Sequence, residues 1–293
     1  MVPVLKANFI ADWIAHLRTV LVAQGWSPDE LAGLADDDVP AHYFDAARRR
    51  IAEVPRSIVL ADTFSCPPQS RAVWNALQEK IRSGQDLNPH RSLGHASLRN
   101  PDGLLAEWGV HHFHLCLAPH PTQPGFVKRS GPLLFGLVAS DTFYAIGVFG
   151  HGTRSFADSD ILEIIHRNWP ELIARYKANG VTGGAWTAEQ RTNLRRANAN
   201  VMSVVSDGTV YMPTTGGVMA SGMNAEAMRA ADSWYYRLRA LQDAVQATLE
   251  SEILPTLRAK GYTDAEEVEA RLQVTASGEL QALFPAYGVI VRS

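Results

Sequence analysis

Cysteine is almost missing from this chain: there are two among 293 residues, Cys66 and Cys116. A disulfide framework is excluded at that length. No CxxC pair exists from which to build a zinc knuckle. Charge is also scarce. Charged residues make up 19%, and the formal net charge is -3. A generally basic surface for nucleic-acid backbones is therefore absent. No apolar run approaches the length needed to cross a bilayer. The opening stretch MVPVLKANFIADWIAHLRTV carries Asp12, His16 and Arg18 within its apolar spacing, which marks an amphipathic helix and not a signal peptide. The expected setting is reducing and cytoplasmic, with no membrane partner. The patterns GxxxxGK[ST], GxGxxG, HExxH and GxSxG are missing too. That removes the phosphate loop, the dinucleotide cradle, the zinc-protease helix and the hydrolase elbow.

What is present suffices for a sizeable core, since 46% of residues are hydrophobic. Residues 90–200 hold 11 Lys+Arg against 8 Asp+Glu, so the middle is mildly basic and the flanks are acidic. Apolar positions at Phe9, Ile10, Trp13, Ile14, Leu17, Val20 and Leu21 have helical spacing. Ser27 caps a helix with Pro28 at its first position. AHYFDAARRRI and QSRAVWNALQEKIRSG read as further helices, and RSIVLADTF as a short strand or link. A loop with Gly, Pro, Asn and Ser follows, GQDLNPHRSLGHASLRNPDG. It suggests a boundary between a mostly helical region, 1–85, and a second domain, 86–293.

The second region opens with three strand candidates, GVHHFHLCL, PLLFGLV and TFYAIGVF, the last two joined by a tight turn at ASD. Asp158 or Ser159 caps a helix to about Trp169, and Pro170 restarts it towards Gly180. VMSVVSDGTVYM signals a hairpin with a type I′ turn at Asp207-Gly208. A long helix is expected from about Ala225 to Leu249, with a kink near Pro255. Thr263 and Glu266 suggest a capping box. LQVTASGELQALF and YGVIV suggest a closing hairpin and strand. The fold class is α+β: a helical N-terminal region followed by an antiparallel sheet region with flanking helices.

The densest chemistry is WGVHHFHLCLAPH, which packs four of the ten histidines into thirteen positions. On a strand, His112 and His114 point to one face, and Cys116 continues that alternation. A third imidazole, His151, follows the TFYAIGVF strand. Histidine both moves protons near neutrality and ligates metals, so two kinds of site are open. His112, His114 and His151 together would suit zinc or iron. Without metal, the same face lies near Lys128 and Arg129, Tyr144 and Arg154. Imidazoles to move protons, arginines to hold a phosphorane and a tyrosine donor would suffice to cleave RNA through its own 2′-hydroxyl. A third reading gives the cluster no chemistry: the rings hydrogen-bond to loops in a protein that binds or assembles.

The order HHFHL, a basic pair, LLFGLV, FYAIGVF and HGTR resembles the central sheet of RelE-like toxin endoribonucleases, across roughly residues 108–156. The resemblance implies a toxin or defence enzyme that needs no cofactor and takes RNA as its partner. It carries the catalytic roles to His112, His114, Arg129, Tyr144 and His151. Lys128, Arg154, Arg191 and Arg195 are candidates for holding the phosphate backbone. Arg191 and Arg195 lie four apart in RTNLRRANAN and share a helix face.

Overall fold

The computed structural model describes residues 3–100, 102–152, 160–263, 265–275 and 277–292. In chain order the strands are β1 (Val4–Lys6), β2 (Ser57–Leu60), β3 (Val110–His114), β4 (Pro132–Val138), β5 (Thr142–Gly150), β6 (Ser203–Val204), β7 (Val210–Tyr211), β8 (Glu267–Glu269), β9 (Arg271–Val274), β10 (Leu280–Phe284) and β11 (Val289–Arg292). Among the described residues no helix is long and apolar enough to cross a membrane. The protein is α+β, with a helical N-terminus preceding the sheets.

The chain forms two compact units, Met1–Phe44 with Met228–Ser293, and Asp45–Ala227. The boundary read at 85/86 therefore falls inside the second unit. The reason is pairing and packing. β2 hydrogen-bonds in parallel to β5, and Trp74, Leu77 and Ile81 of helix Arg71–Ser83 pack with Phe113, Leu134 and Phe143 of the sheet.

In the first unit, helix Phe9–Ala23 buries Phe9, Trp13, Ile14, Leu17 and Leu21, the apolar stripe its spacing predicts. Trp13 stacks on Trp234 with ring centroids 5.6 Å apart. Asp12 fixes this helix to β9, accepting the Leu272 amide at 2.9 Å and pairing with Arg271 at 3.1 Å. β9, β10 and β11 form an antiparallel sheet, as the closing hairpin and strand predict. The capping box at Thr263 and Glu266 does not start a helix. Residues 267–269 instead form β8, parallel to β1, because β1 offers an open edge that local sequence does not reveal.

The second unit is built on a four-stranded sheet in the order β2-β5-β4-β3. The β3–β4 and β4–β5 pairs are antiparallel, as the sequence predicts, while β2 adds a parallel edge. One face packs on helix Arg71–Ser83. The other packs on Leu104 and Trp108, on Ile161, Leu162 and Ile165, and on Trp169, Ile173 and Tyr211. A bulge interrupts the β4–β5 ladder, where Phe135 faces Gly147 but Gly136 faces Ala145. Gly136 is needed here, since a Cβ would lie 2.8 Å from the Phe143 ring. The bulge flips the alternation of β5. Tyr144 and Ile146 face one core, Val148 faces the other, and Phe149 returns to the first.

Two local expectations change. The helix after Pro170 is short, Pro170–Ile173 with one further turn to Tyr176. The β6–β7 hairpin forms, but its turn is not type I′: only Gly208, at φ +86°, is left-handed there. The long helix runs Ala225–Thr248 and ends in a π turn, Leu249–Ile253, before Pro255. The cap expected at Asp158 or Ser159 lies outside the described residues.

Candidate functional site

The site begins at β3, the edge strand of the second unit's sheet. His112 and His114 share the face of Phe135, His112 lying 6.3 Å from its ring. His111 turns to the opposite face, beside Phe113. The strand register then brings in the third imidazole. His114 pairs with Leu133 and Pro132 with Gly150, so the residue that follows β5 lies beside the end of β3. His151 accordingly stacks on His114, with centroids 6.0 Å apart and planes 23° apart. Arg129 donates to His151 Nε2 at 3.0 Å. The Ser130 amide donates to His114 Nδ1 at 3.2 Å.

Two residues that the sequence reading passed over complete this side. Asp102 caps helix Gly103–Trp108, and its Oδ1 accepts the amides of Leu104 and Leu105, each at 3.0 Å. Its Oδ2 accepts His95 Nε2–H at 2.7 Å and faces His112 Nδ1 at 3.7 Å. Arg91 donates to the carbonyl oxygen of Arg49 at 2.5 Å and to His95 Nδ1 at 3.4 Å. A guanidinium only donates, so His95 Nδ1 is the acceptor and the ring proton sits on Nε2, towards Asp102. Burial works against the ionised Asp102, but His95, the nearby His112 and the Leu105 amide outweigh it and hold the carboxyl below its ordinary range. Burial pushes His112 below the ordinary imidazole range, despite Asp102. The one local signal for Asp102 was its place in NPDG before an apolar run, a helix-start pattern.

The facing side comes from helix Ala188–Arg196, started by a capping box between Thr187 and Gln190. Glu107 accepts from Arg191 and, at 2.5 Å, from Arg195 Nε. Both guanidiniums lie over Trp108, 5.0 and 5.1 Å from the ring centroid. Asn198, at φ +53°, ties this end of the helix to Ala220, and Asn200 clasps Val218 through both its amide and carbonyl. Between the two sides lies a cavity of about 720 Å³, lined by His95, Asp102, His112 and His151 and by Arg195 and Arg196.

The structure thus brings His112 and His151 to one cavity with Arg195, and sets His114 and Arg129 directly behind His151. It separates the others. Tyr144 shares the face but packs on Trp169 at 5.0 Å, opposite Leu137 on the next strand. Arg191 does not reach the cavity, because its side chain is 1% exposed and is held by Glu107 and Ser203. Lys128 is exposed, with its amide bonded to Ala118. Arg154 lies outside the described residues. Cys116 lies past the end of β3, half-buried, with Sγ 4.0 Å from the Ala118 carbonyl.

The alternative zinc or iron set of His112, His114 and His151 does not fit. A neutral imidazole has one lone pair on nitrogen. In this arrangement the lone pair of His114 takes the Ser130 amide and that of His151 takes Arg129, so as placed neither ring offers one to a metal. Among the described residues no group of three His, Cys, Asp or Glu is arranged to hold a metal ion. No protein-family model, no curated protein and no solved structure matches this chain.

Buried neutral imidazoles make the fold acid-sensitive. Burial takes His111 down to about 3 and His114 to about 4. Unfolded histidines titrate near ~6.5. Below that pH the unfolded chain binds more protons than the folded one, so stability falls as pH falls. Each of these two histidines should remove about 1.4 kcal/mol per pH unit below ~6.5, until its folded value is reached. Urea melts at pH 7.5 and pH 5 measure this, and equal midpoints would contradict it.

Proposed function

We propose that this protein cleaves RNA phosphodiesters without a metal ion, by general acid–base catalysis in the cavity of the second unit. One observation carries the reading: a buried imidazole, His112, backed by the Asp102 carboxylate, opens into the same cavity as the guanidiniums of Arg195 and Arg196. The resemblance of residues 108–156 to RelE-like toxin endoribonucleases supports the same chemistry.

The roles follow from the atoms. Asp102 favours the proton on His112 Nδ1, which leaves Nε2 with its lone pair as general base. His112, neutral at neutral pH, takes the proton of a substrate 2′-hydroxyl. The freed oxygen attacks phosphorus, and the bond from phosphorus to the 5′-oxygen breaks. Protonated His151 gives its proton to that 5′-oxygen. Protonation ends the acceptor bond from Arg129. Arg195 and Arg196 neutralise the phosphorane charge. The products are a 2′,3′-cyclic phosphate and a 5′-hydroxyl end, and the step uses neither water nor metal.

The test is a 5′-labelled single-stranded RNA incubated with the protein in EDTA. Cleavage leaving cyclic phosphate ends is expected, and a 2′-deoxy nucleotide at the cut site should abolish it. An RNA panel left intact by the folded protein, or cleavage that EDTA stops, would overturn the proposal.

A further inference from the structure

We infer that His95 is a positioning residue that sets the basicity of His112 by competing for one oxygen of Asp102. The argument is geometric. Asp102 Oδ1 is occupied by two helix amides, so Oδ2 is the oxygen that both imidazoles address. His95 holds it at hydrogen-bond length, 2.7 Å, and His112 stands off at 3.7 Å. His95 cannot turn away readily, because Arg91 donates to its other nitrogen and is itself anchored on the Arg49 carbonyl. The proton that His95 donates withdraws negative charge from the oxygen that would otherwise stabilise the His112 imidazolium. The short bond on one side therefore accounts for the long approach on the other.

The rest of the surroundings act in the same direction. Among the described residues, Asp102 and His95 from the segment before β3, His114 on β3, Arg129 before β4 and His151 after β5 surround His112. His111 acts on it from the other face of β3, and Glu107, Arg195 and Arg196 line the same cavity. Glu107 is paired with Arg191 and Arg195, and the carboxylate that addresses His112 is Asp102, so whatever draws on its charge lowers the proton affinity of His112. A base kept neutral in this way remains available for proton abstraction in mildly acid solution. The role in catalysis rests on the reading of His112 as general base; the control of its titration does not.

Three variants decide the point. Gln at position 95 places an amide N–H near the position of Nε2 and keeps the bond to Asp102. Leu and Asn do not reach it. The pKa of His112, followed by NMR of the labelled imidazole, should rise by about one unit in His95→Leu and His95→Asn. It should return to the wild-type value in His95→Gln. The acid limb of the RNA-cleavage pH profile should move with it. If His95→Leu does not fold, the Asn and Gln pair gives the same comparison. An unchanged or lowered His112 value in folded His95→Asn would overturn the inference. Absence of RNA cleavage with the expected titration shifts would overturn the catalytic reading alone.

Discussion

His112→Ala should lower RNA cleavage by about 10²- to 10⁴-fold, the range for loss of a positioned general base. The loss should fall on kcat, since in the proposed mechanism Arg195 and Arg196, and not His112, would hold the substrate phosphate. The fold should persist, because the Asp102 carboxylate keeps its bond to His95 and its two helix amides. The remaining activity should lose the acid limb that His112 titration imposes. In the wild-type protein this limb lies below the ordinary histidine value, because burial holds His112 down. The rate therefore falls only as pH drops through that lowered value. A folded His112→Ala protein that cleaves RNA as fast as wild type would remove His112 from the mechanism.

The largest stability effect should come from Glu107→Ala. Glu107 is the shared acceptor of Arg191 and Arg195, and its side chain is 9% exposed. Arg191 is 1% exposed, so removing the carboxylate leaves a guanidinium charge in a buried site without its anion. Breaking such a pair costs about 3–5 kcal/mol. Ser203 still accepts from Arg191 at 2.9 Å, and Trp108 still lies beneath both guanidiniums, but neither neutralises the charge. The measurement is a urea midpoint at unchanged slope. A shift worth less than about 1 kcal/mol, the range for exposed ion pairs, would show that the pair contributes no more than a surface one. Arg195 would also lose its anchor, so RNA cleavage should fall with stability in this variant.

The comparison of sequence with structure is clearest at the histidines. Strand alternation placed His112 and His114 on one face, because a period of two needs only local chain geometry. Helix Phe9–Ala23, the closing strands, β3 and β4 were legible for the same kind of reason: apolar spacing and turn residues act within a few positions. Asp102 was visible only as part of a turn, since its importance lies in meeting His95 and His112 across separate segments. Arg191 and Arg195 had to share a helix face, and they do. Yet one is sealed over Trp108 and the other reaches the cavity, which depends on where Glu107 stands.

Taken alone, the amino-acid order determined the kinds of element, the common face of two histidines and the absence of known phosphate, dinucleotide or protease motifs. The tertiary structure decided which of these parts meet. Strict alternation along β5 would put His151 on the side opposite Tyr144. The bulge beside Gly136 reverses that phase, returns Phe149 to the face of Leu133 and leaves the chain entering His151 beside His114. The Phe143 ring against Gly136 and the packing of two cores fix the position of that extra residue. Such forces come from residues distant in the chain, and no local pattern encodes them.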